Sequence, residues 1–302
     1  MEHVVLFVDE AGAKGYSNNT ESEPGEFGVM AGYLVPRPSL GTAKADLEAI
    51  RERFFTGGKL HIADLQAKRQ YELRKDIFAY FIRKRIYWVY EAIYVQGFFQ
   101  SADSVNQLSK RAHESRSSEV QISWRPGKEL LHAELFQGVF GKALAFCTDR
   151  MGSDFELEVR ADRTDPGIIK KFEKVAYDLL HVGEEQQLEV KGFDKRTKQV
   201  VRGSIIMSMP SGASALSDFS RVTYSINCED SSLTLAADVL VNSVNHHLKS
   251  YQASNMAADL NTDKAISGHS LESLVYGVWS DTESKYFADA MFMHPSQKNG
   301  GK

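Results

Sequence analysis

Several features that would assign a chain to a special class are scarce in this sequence of 302 residues. It has only two cysteines, Cys147 and Cys228, and neither has a Cys-x-x-Cys partner. A disulfide framework and a zinc–thiolate site are therefore disfavoured, and a reducing compartment is expected. No apolar run approaches the roughly 18 residues that span a bilayer, and the first residues do not resemble a signal peptide. These absences predict a soluble cytoplasmic protein with no membrane partner.

Positive charge is not in excess either. The formal net charge is −4 at pH 7, so no global basic field indicates nucleic acid, although a local basic patch remains allowed. Hydrophobic residues make up 42% and charged residues 25% of the chain, which is an ordinary globular mixture. No repeat or linker is evident. We predict one domain over residues 1–295, with insertions at about 39–84 and 96–127, and a disordered tail at 296–302.

The strongest local pattern is an apolar run followed by two carboxylates. Residues 4–8 are all apolar and mostly β-branched, which is typical of a strand buried on both faces. Asp9 and Glu10 follow directly, before a turn that contains Gly12. A carboxylate at the end of a buried strand is costly to desolvate unless a partner compensates it. A divalent cation is one such partner, and a hydrogen-bonded turn is another.

The remaining elements predict an α/β fold. Further strands are expected at residues 27–35, 86–95, 155–159 and 221–227, helices at 128–151, 166–182 and 233–250, and a hairpin at 187–209. With the helical segment at 39–84 set aside, the order is strand, strand, strand, helix, strand, helix, strand, helix. This order predicts a ribonuclease H-like mixed sheet flanked by helices, with a helical insertion after the second strand. The polar segment 96–127 is expected to be a mobile insertion or a partner-binding segment.

Acidic residues occupy informative places in this order. Asp9 ends the first strand and Asp162 ends the fourth, while Glu134 lies in the first turns of the helix before that strand. Asp238 interrupts an apolar stretch of the last helix, where a buried Asp is costly unless it is paired, although a solvent-facing position would also explain it. Carboxylates that converge at one sheet edge suit Mg²⁺ or Mn²⁺, which take oxygen ligands. Two such ions about 4 Å apart can hold the attacking water and the leaving oxygen of a phosphodiester.

Three short segments resemble the DUF3800 family, a bacterial and phage family assigned to the ribonuclease H-like superfamily. Residues 8–12 (Val-Asp-Glu-Ala-Gly) look like its Asp-Glu-Ser-Gly opening, with Ala11 in place of Ser. Residues 59–65 (Lys-Leu-His-Ile-Ala-Asp-Leu) are similar to its Glu-Ile-His-x-x-Asp-Leu segment. Residues 230–238 are similar to its Asp-Ser…Leu-Gln-Leu-Ala-Asp segment, with Thr234 in place of Gln and one extra Ala before the Asp.

The resemblance implies a metal-dependent, nuclease-like site at Asp9, Asp162 and Asp238. It does not define a substrate, and the frequent occurrence of family members among mobile-element and antiviral defence genes suggests a role in defence. We predict a nuclease that hydrolyses phosphodiester bonds in RNA or DNA. The predicted catalytic residues are Asp9, Asp162, Asp238 and Glu134. The predicted ligands of Mg²⁺ or Mn²⁺ are Asp9, Asp162, Asp238 and Glu10.

Other interpretations stay open. On the same fold, the protein would instead be a non-catalytic subunit of a defence assembly that binds nucleic acid or a protein partner. A third possibility is a metal-dependent phosphohydrolase that acts on nucleotides. Glu10 is equally explained as a turn residue that points to water, and Glu134 as a solvated helix residue.

Further polar residues have both a chemical and a structural interpretation. His61 and Asp64 either supply a proton-transfer group or form a structural pair. His246 and His247 lie about two turns after Asp238, and they either supply a general base or form a surface pair at a helix end. The basic residues of the hairpin either contact phosphate or form a solvated turn. Those residues are Lys195, Arg196, Lys198 and Arg202.

Overall fold

The computed structural model describes most of the chain. The described residues are 1–13, 21–54, 61–115, 121–122, 130–162, 165–181, 186–194, 197–207, 219, 221–254 and 258–277. The tail predicted at 296–302 lies outside these ranges, as do parts of both predicted insertions and the tip of the predicted hairpin. No helix within the described ranges is long and apolar enough to cross a membrane.

Strands and helices alternate along most of the chain. The strands are β1 (Glu2–Gly12), β2 (Phe27–Pro36), β3 (Trp88–Tyr94), β4 (Gln121–Ile122), β5 (Phe155–Ala161), β6 (Gln186–Asp194), β7 (Gln199–Met207) and β8 (Thr223–Cys228). The helices are α1 (Leu40–Arg51), α2 (Ala67–Lys84), α3 (Val95–Glu114), α4 (Leu130–Met151), α5 (Pro166–Leu180), α6 (Ser232–Gln252) and α7 (Asp263–Ile266). Short 3₁₀ turns lie at Arg37–Ser39, Ile62–Asp64 and Glu272–Leu274.

The central sheet has five strands in the order β3-β2-β1-β5-β8. β2 runs antiparallel to both β1 and β3, whereas β5 runs parallel to both β1 and β8. β1 lies in the middle, as expected for a continuous apolar run that is buried on both faces. Helices cover both faces, so the prediction of an α/β mixed sheet flanked by helices is confirmed.

The alternation of side chains along β1 divides the core into two layers. Val5 and Phe7 pack in the layer that contains α1, α2 and α6. Leu6 and Val8 pack in the layer that contains α4 and α5. Successive side chains of a strand point to opposite faces. The Asp9 side chain therefore continues the α6 side of the sheet, and the side chain of the next residue continues the α4 side.

A second, smaller sheet has the strand order β4-β6-β7. Its strands β6 and β7 pair antiparallel, with Leu188 opposite Ile205, which confirms the predicted hairpin. The predicted turn residues 195 and 196 lie outside the described residues.

The segment that follows β3 forms a helix that its polar composition did not indicate. α3 begins at Val95, directly after the strand, and Val95, Phe98 and Phe99 are buried in the core layer of α4 and α5. Their i, i+3, i+4 spacing is that of one helix face. Burial of this short apolar face against the core favours the helix, whereas the later polar residues dominate the composition of the segment. Residues 116–120 and 123–127 lie outside the described ranges.

The N-terminus of α6 is capped by its own side chains and is hydrogen-bonded to the sheet. The Leu233 backbone N–H donates to Ser231 Oγ at 3.2 Å, and the Ser231 N–H donates to Thr234 Oγ1 at 3.0 Å. This reciprocal cap satisfies backbone donors that the first helical turn leaves free. The Tyr33 hydroxyl of β2 then donates to the Leu233 carbonyl at 2.8 Å. The predicted helix start is confirmed, and these contacts fix where Asp238 lies over the sheet.

Candidate functional site

Asp9 lies within β1, at the point where pairing with β5 stops while pairing with β2 continues to Gly12. The prediction that Asp9 ends the strand before a turn is therefore wrong, because residues 9–12 pair with residues 28–31 of β2. The Asp9 Oδ1 accepts the Glu10 backbone N–H at 2.8 Å. Three residues later, Gly12 has φ +80°, and a Cβ there would lie 2.6 Å from the Phe27 carbonyl oxygen. A side chain at position 12 would therefore be both strained and obstructed. The glycine of this segment keeps β1 close to β2 beside the carboxylates.

Asp238 faces the same region from α6. Only 16% of its side chain is exposed, so it is not the solvent-facing residue of an amphipathic helix. Its Oδ2 accepts the Ile62 backbone N–H at 2.7 Å, and His61 Nδ1 lies 3.6 Å from the same oxygen. The 3₁₀ turn between α1 and α2 thus orients this carboxylate.

Asp162 follows β5, the parallel neighbour of β1. Val8 is paired with Ala161, so Asp9 and Asp162, the residues that follow them, lie next to each other where the pairing of β1 with β5 ends. Carboxyl ends of parallel strands meet at one edge of a sheet, which is where ligands commonly bind in α/β proteins. Two strand ends and a facing helix therefore bring the three predicted aspartates together.

The pKa values of two of these aspartates reflect this crowding. Burial raises the pKa of Asp9 well above its usual range, and the charges of Glu10, Asp238 and Asp162 raise it further. Burial also raises the pKa of Asp238, with smaller contributions from Asp162 and Asp64. The Ile62 N–H and His61 partly oppose the shift at Asp238. Both shifts have the direction expected for clustered carboxylates that lack a compensating cation.

The donor set suits a hard divalent cation. In the part of the chain that the structure describes, neither Asp9 nor Asp238 forms an ion pair with a Lys or Arg. Oxygen ligands of this kind are those that Mg²⁺ and Mn²⁺ prefer. Within the same described residues, no group of three or more His, Cys, Asp or Glu side chains is spaced so that it could hold a metal ion. Of the predicted ligands, Asp9, Asp162 and Asp238 lie at this edge of the sheet. Glu10 is paired with Met30, whose side chain is in the α4 layer, so the Glu10 side chain lies on the face opposite Asp238.

Glu134 lies elsewhere. It is on α4, which packs on the face of the sheet opposite α6. Burial raises the pKa of Glu134 to about 7, and the charge of Glu91 adds to the shift. The structure therefore groups Glu134 electrostatically with Glu91 of β3, whereas Asp9 is grouped with Glu10, Asp162 and Asp238.

Glu91 belongs to a buried ion pair that the sequence analysis missed. Its Oε2 lies 2.9 Å from Lys142 Nζ, and Glu91 and Lys142 are only 0% and 3% exposed. Lys142 Nζ also donates to the Tyr90 carbonyl at 2.7 Å. A Cβ at Gly138 would overlap the Glu91 carboxylate, so glycine makes room for the pair. The signal in the sequence was one acidic residue in the apolar segment of β3 and one basic residue in an apolar segment of α4.

Arg74 of α2 is a second feature that the sequence analysis missed. Its Nη2 donates to Asn242 Oδ1 at 3.1 Å, and Asn242 lies one helical turn after Asp238. Farther along the same side of α6, Asn245 Oδ1 is buried and would lie 3.3 Å from a Cβ at Gly12. The signal in the sequence was the spacing of the polar residues in α6, which repeats at three and four positions.

The other candidate side chains occupy mainly structural positions. His61 and Asp64 cap the 3₁₀ turn, with the His61 N–H 3.3 Å from Asp64 Oδ2. His246 lies on the exposed side of α6, where partial desolvation of its ring and the charges of Arg74 and Lys249 lower its pKa.

Two further groups lie away from the aspartates. His247 packs edge-on against His269, with the ring centroids 5.4 Å apart. Lys198 and Arg202 are exposed on the second sheet, while Lys195 and Arg196 lie outside the described residues.

A scan against protein-family models found no match, and neither did a search of curated proteins. The resemblance to the DUF3800 family therefore rests on the three short segments alone.

Proposed function

We propose that this protein is a metal-dependent, nuclease-like phosphodiester hydrolase with a ribonuclease H-like fold, similar to the DUF3800 family. The observation that carries the proposal is the meeting of Asp9, Asp162 and Asp238 at one edge of the sheet. The central β1, with antiparallel β2 on one side and parallel β5 on the other, supports the fold. Two of the three motif segments meet here, because the 3₁₀ turn of one holds Asp238 of another.

Asp9, Asp162 and Asp238 would hold Mg²⁺ or Mn²⁺, and Glu10 is left out because its side chain is on the α4 face of the sheet. When bound, such ions activate a water molecule and stabilise the leaving oxygen of a phosphodiester. The protein's own part is to present the carboxylates in fixed orientations. The Glu10 N–H orients Asp9, and the Ile62 N–H orients Asp238. Glu134 is left out of the proposed ligand set because its charge neighbour is Glu91.

Cation binding is the first test. Calorimetric titration with Mn²⁺ should show binding by the wild-type protein that Asp9→Asn and Asp238→Asn abolish. Asp154→Asn is the matched control, because Asp154 is exposed just before β5, at the opposite end of that strand from Asp162. Its binding should equal that of the wild type. No binding at millimolar Mn²⁺ would overturn the proposed site.

Hydrolysis is the second test. The wild-type protein with Mn²⁺ should degrade at least one member of a set containing tRNA, single-stranded RNA and single-stranded DNA. Asp9→Asn should reduce the rate by roughly 100-fold or more, the effect typical of removing a group that stabilises developing charge. Metal binding without hydrolysis of any polymer would favour the non-catalytic alternative. Hydrolysis of nucleotides alone would favour the phosphohydrolase.

A further inference from the structure

Arg74 is a partly buried cation beside the carboxylate site. Its Nη2 donates to Asn242, while its Nε is buried and makes no hydrogen bond. Among the residues for which the structure gives side chains, no carboxylate forms an ion pair with it. Burial lowers its pKa. A desolvated cation without an anionic partner is costly, so this arrangement suits an anion that is not part of the described protein.

The position of Arg74 relates that anion to the carboxylates. Asn242, which holds the guanidinium, lies four residues after Asp238, about 6 Å farther along the axis of α6. His246 and Lys249 continue the same side of the helix. The charges of Arg74 and Lys249 both lower the pKa of His246, so these groups are close in space. The charge along this side of α6 thus changes from negative at Asp238 to positive beyond it.

The positive end of this track opens into a cleft. Lys249 is exposed and, with Gln252, lines a cleft of about 430 Å³. Two carboxylates, Glu23 and Glu26, also line this cleft, so Lys249 is the cation nearest to the α6 side of a mixed-charge opening. Gly12 and Phe27 line the same cleft from the end of β1 and the start of β2. The track therefore runs from the carboxylates, past Arg74, to an open cleft at the same edge of the sheet.

The geometry points to Arg74 as a phosphate-binding residue that holds the substrate strand one helical turn from the phosphate at Asp238, with Lys249 contacting the strand farther along. This inference rests on the proposed function, because the reacting phosphate is placed at the aspartates. The planar fork of Arg is suited to phosphate. An exposed Lys supplies a point charge for a second phosphate. Local cations would then supply the attraction that the acidic net charge does not.

Strand binding without hydrolysis tests the inference. Fluorescence anisotropy would follow a labelled short single-stranded RNA and its DNA counterpart in EDTA at several salt concentrations. Arg74→Gln should weaken binding about tenfold and reduce the slope of log K against log salt by about one. Arg74→Lys keeps the charge and most of the packing but loses the fork, so it should be intermediate.

The matched control is Arg83→Gln. Arg83 is exposed near the other end of α2, where its guanidinium lies over the Tyr80 ring. This variant should bind as the wild type does. Unchanged affinity and salt slope in Arg74→Gln, an equal loss in Arg83→Gln, or no binding by the wild type would each overturn the inference.

Two further measurements separate this inference from the proposed function. Arg74→Gln should keep the Mn²⁺ binding of the wild type, which also shows that the variant is folded. If neither the wild type nor Arg74→Gln binds Mn²⁺, the proposed function fails. The anisotropy comparison still decides the role of Arg74 in that case. Inorganic phosphate as a competitor distinguishes the source of the phosphate. Displacement by millimolar phosphate indicates a site for an isolated phosphate, and displacement only by unlabelled strand indicates a polymer track.

Discussion

Two groups of buried carboxylates, one on each face of the central sheet, are compensated in opposite ways. On the α4 side, Glu91 lies 2.9 Å from Lys142 Nζ, and both side chains are almost completely buried. On the α6 side, Asp9 and Asp238 accept backbone N–H groups, and no Lys or Arg of the described chain forms an ion pair with either. The Glu91 group contains its own counter-charge, and the aspartate group is a cluster of like charges.

This difference separates a structural role from a binding role. A buried ion pair is satisfied within the fold, and removal of one partner leaves an uncompensated charge. A cluster of carboxylates repels itself until a cation from solution compensates it. Burial and a perturbed pKa are common to both faces, since Glu134 and Asp9 both have raised pKa values. The presence or absence of an internal cation is what distinguishes them.

The largest expected effect comes from removing the cation of the Glu91–Lys142 pair. Lys142→Met should destabilise the protein by about 3–5 kcal/mol, because it leaves Glu91 buried without its cation. Urea unfolding near neutral pH measures this change. Lys174→Met is the control, since Lys174 forms an exposed ion pair with Asp178 and should change stability by less than about 1 kcal/mol. Equal effects of the two variants would contradict a structural role for the Glu91–Lys142 pair.

A smaller effect concerns Glu134, which shares the face of that pair. Its pKa in the folded protein is about 7, above the ordinary value, so the unfolded chain loses this proton first as pH rises. Its contribution therefore lowers stability progressively from about pH 4 to pH 7. Glu134→Gln should remove this loss and raise stability above pH 7 by up to about 3 kcal/mol. Unfolding curves across this pH range measure it. An unchanged pH profile would contradict the assignment, and exposed Glu173→Gln is the control.

The smallest expected effect is a gain in stability, opposite in sign to the effect of Lys142→Met. Asp9→Asn should stabilise the metal-free protein near neutral pH by about 1–2 kcal/mol, because it removes a crowded and desolvated charge. The wild-type protein should lose stability as pH rises through the acidic range, since folded Asp9 holds its proton more tightly than the unfolded chain does. Thermal unfolding with and without Mn²⁺ measures both effects. Mn²⁺ should raise the Tm of the wild type and of Asp154→Asn but not that of Asp9→Asn. Destabilisation by Asp9→Asn would show that Asp9 is a structural residue.

Much of the fold was predictable because its signals are local. The apolar run of β1 and the helical spacing of α5 and α6 each depend on residues within one short segment. Those signals predicted the order of strands and helices, and from that order the sheet edge at which Asp9 and Asp162 meet. The helix at Val95–Glu114 was not predicted, because three buried residues decide its fold within a long polar segment.

The sequence by itself determined that carboxylates adjoin two apolar strand segments and interrupt one apolar helix, because burial patterns repeat with the periods of strand and helix. Only the tertiary structure decided which charges are neighbours. Glu134 faces Glu91 rather than the aspartates, and Arg74 reaches Asn242, 168 positions later in the chain. Such contacts depend on strand register and on how helices cross the sheet, and no local pattern records them. The charge neighbours of a carboxylate, more than its place in the sequence, decide whether it stabilises the fold or is suited to binding a cation.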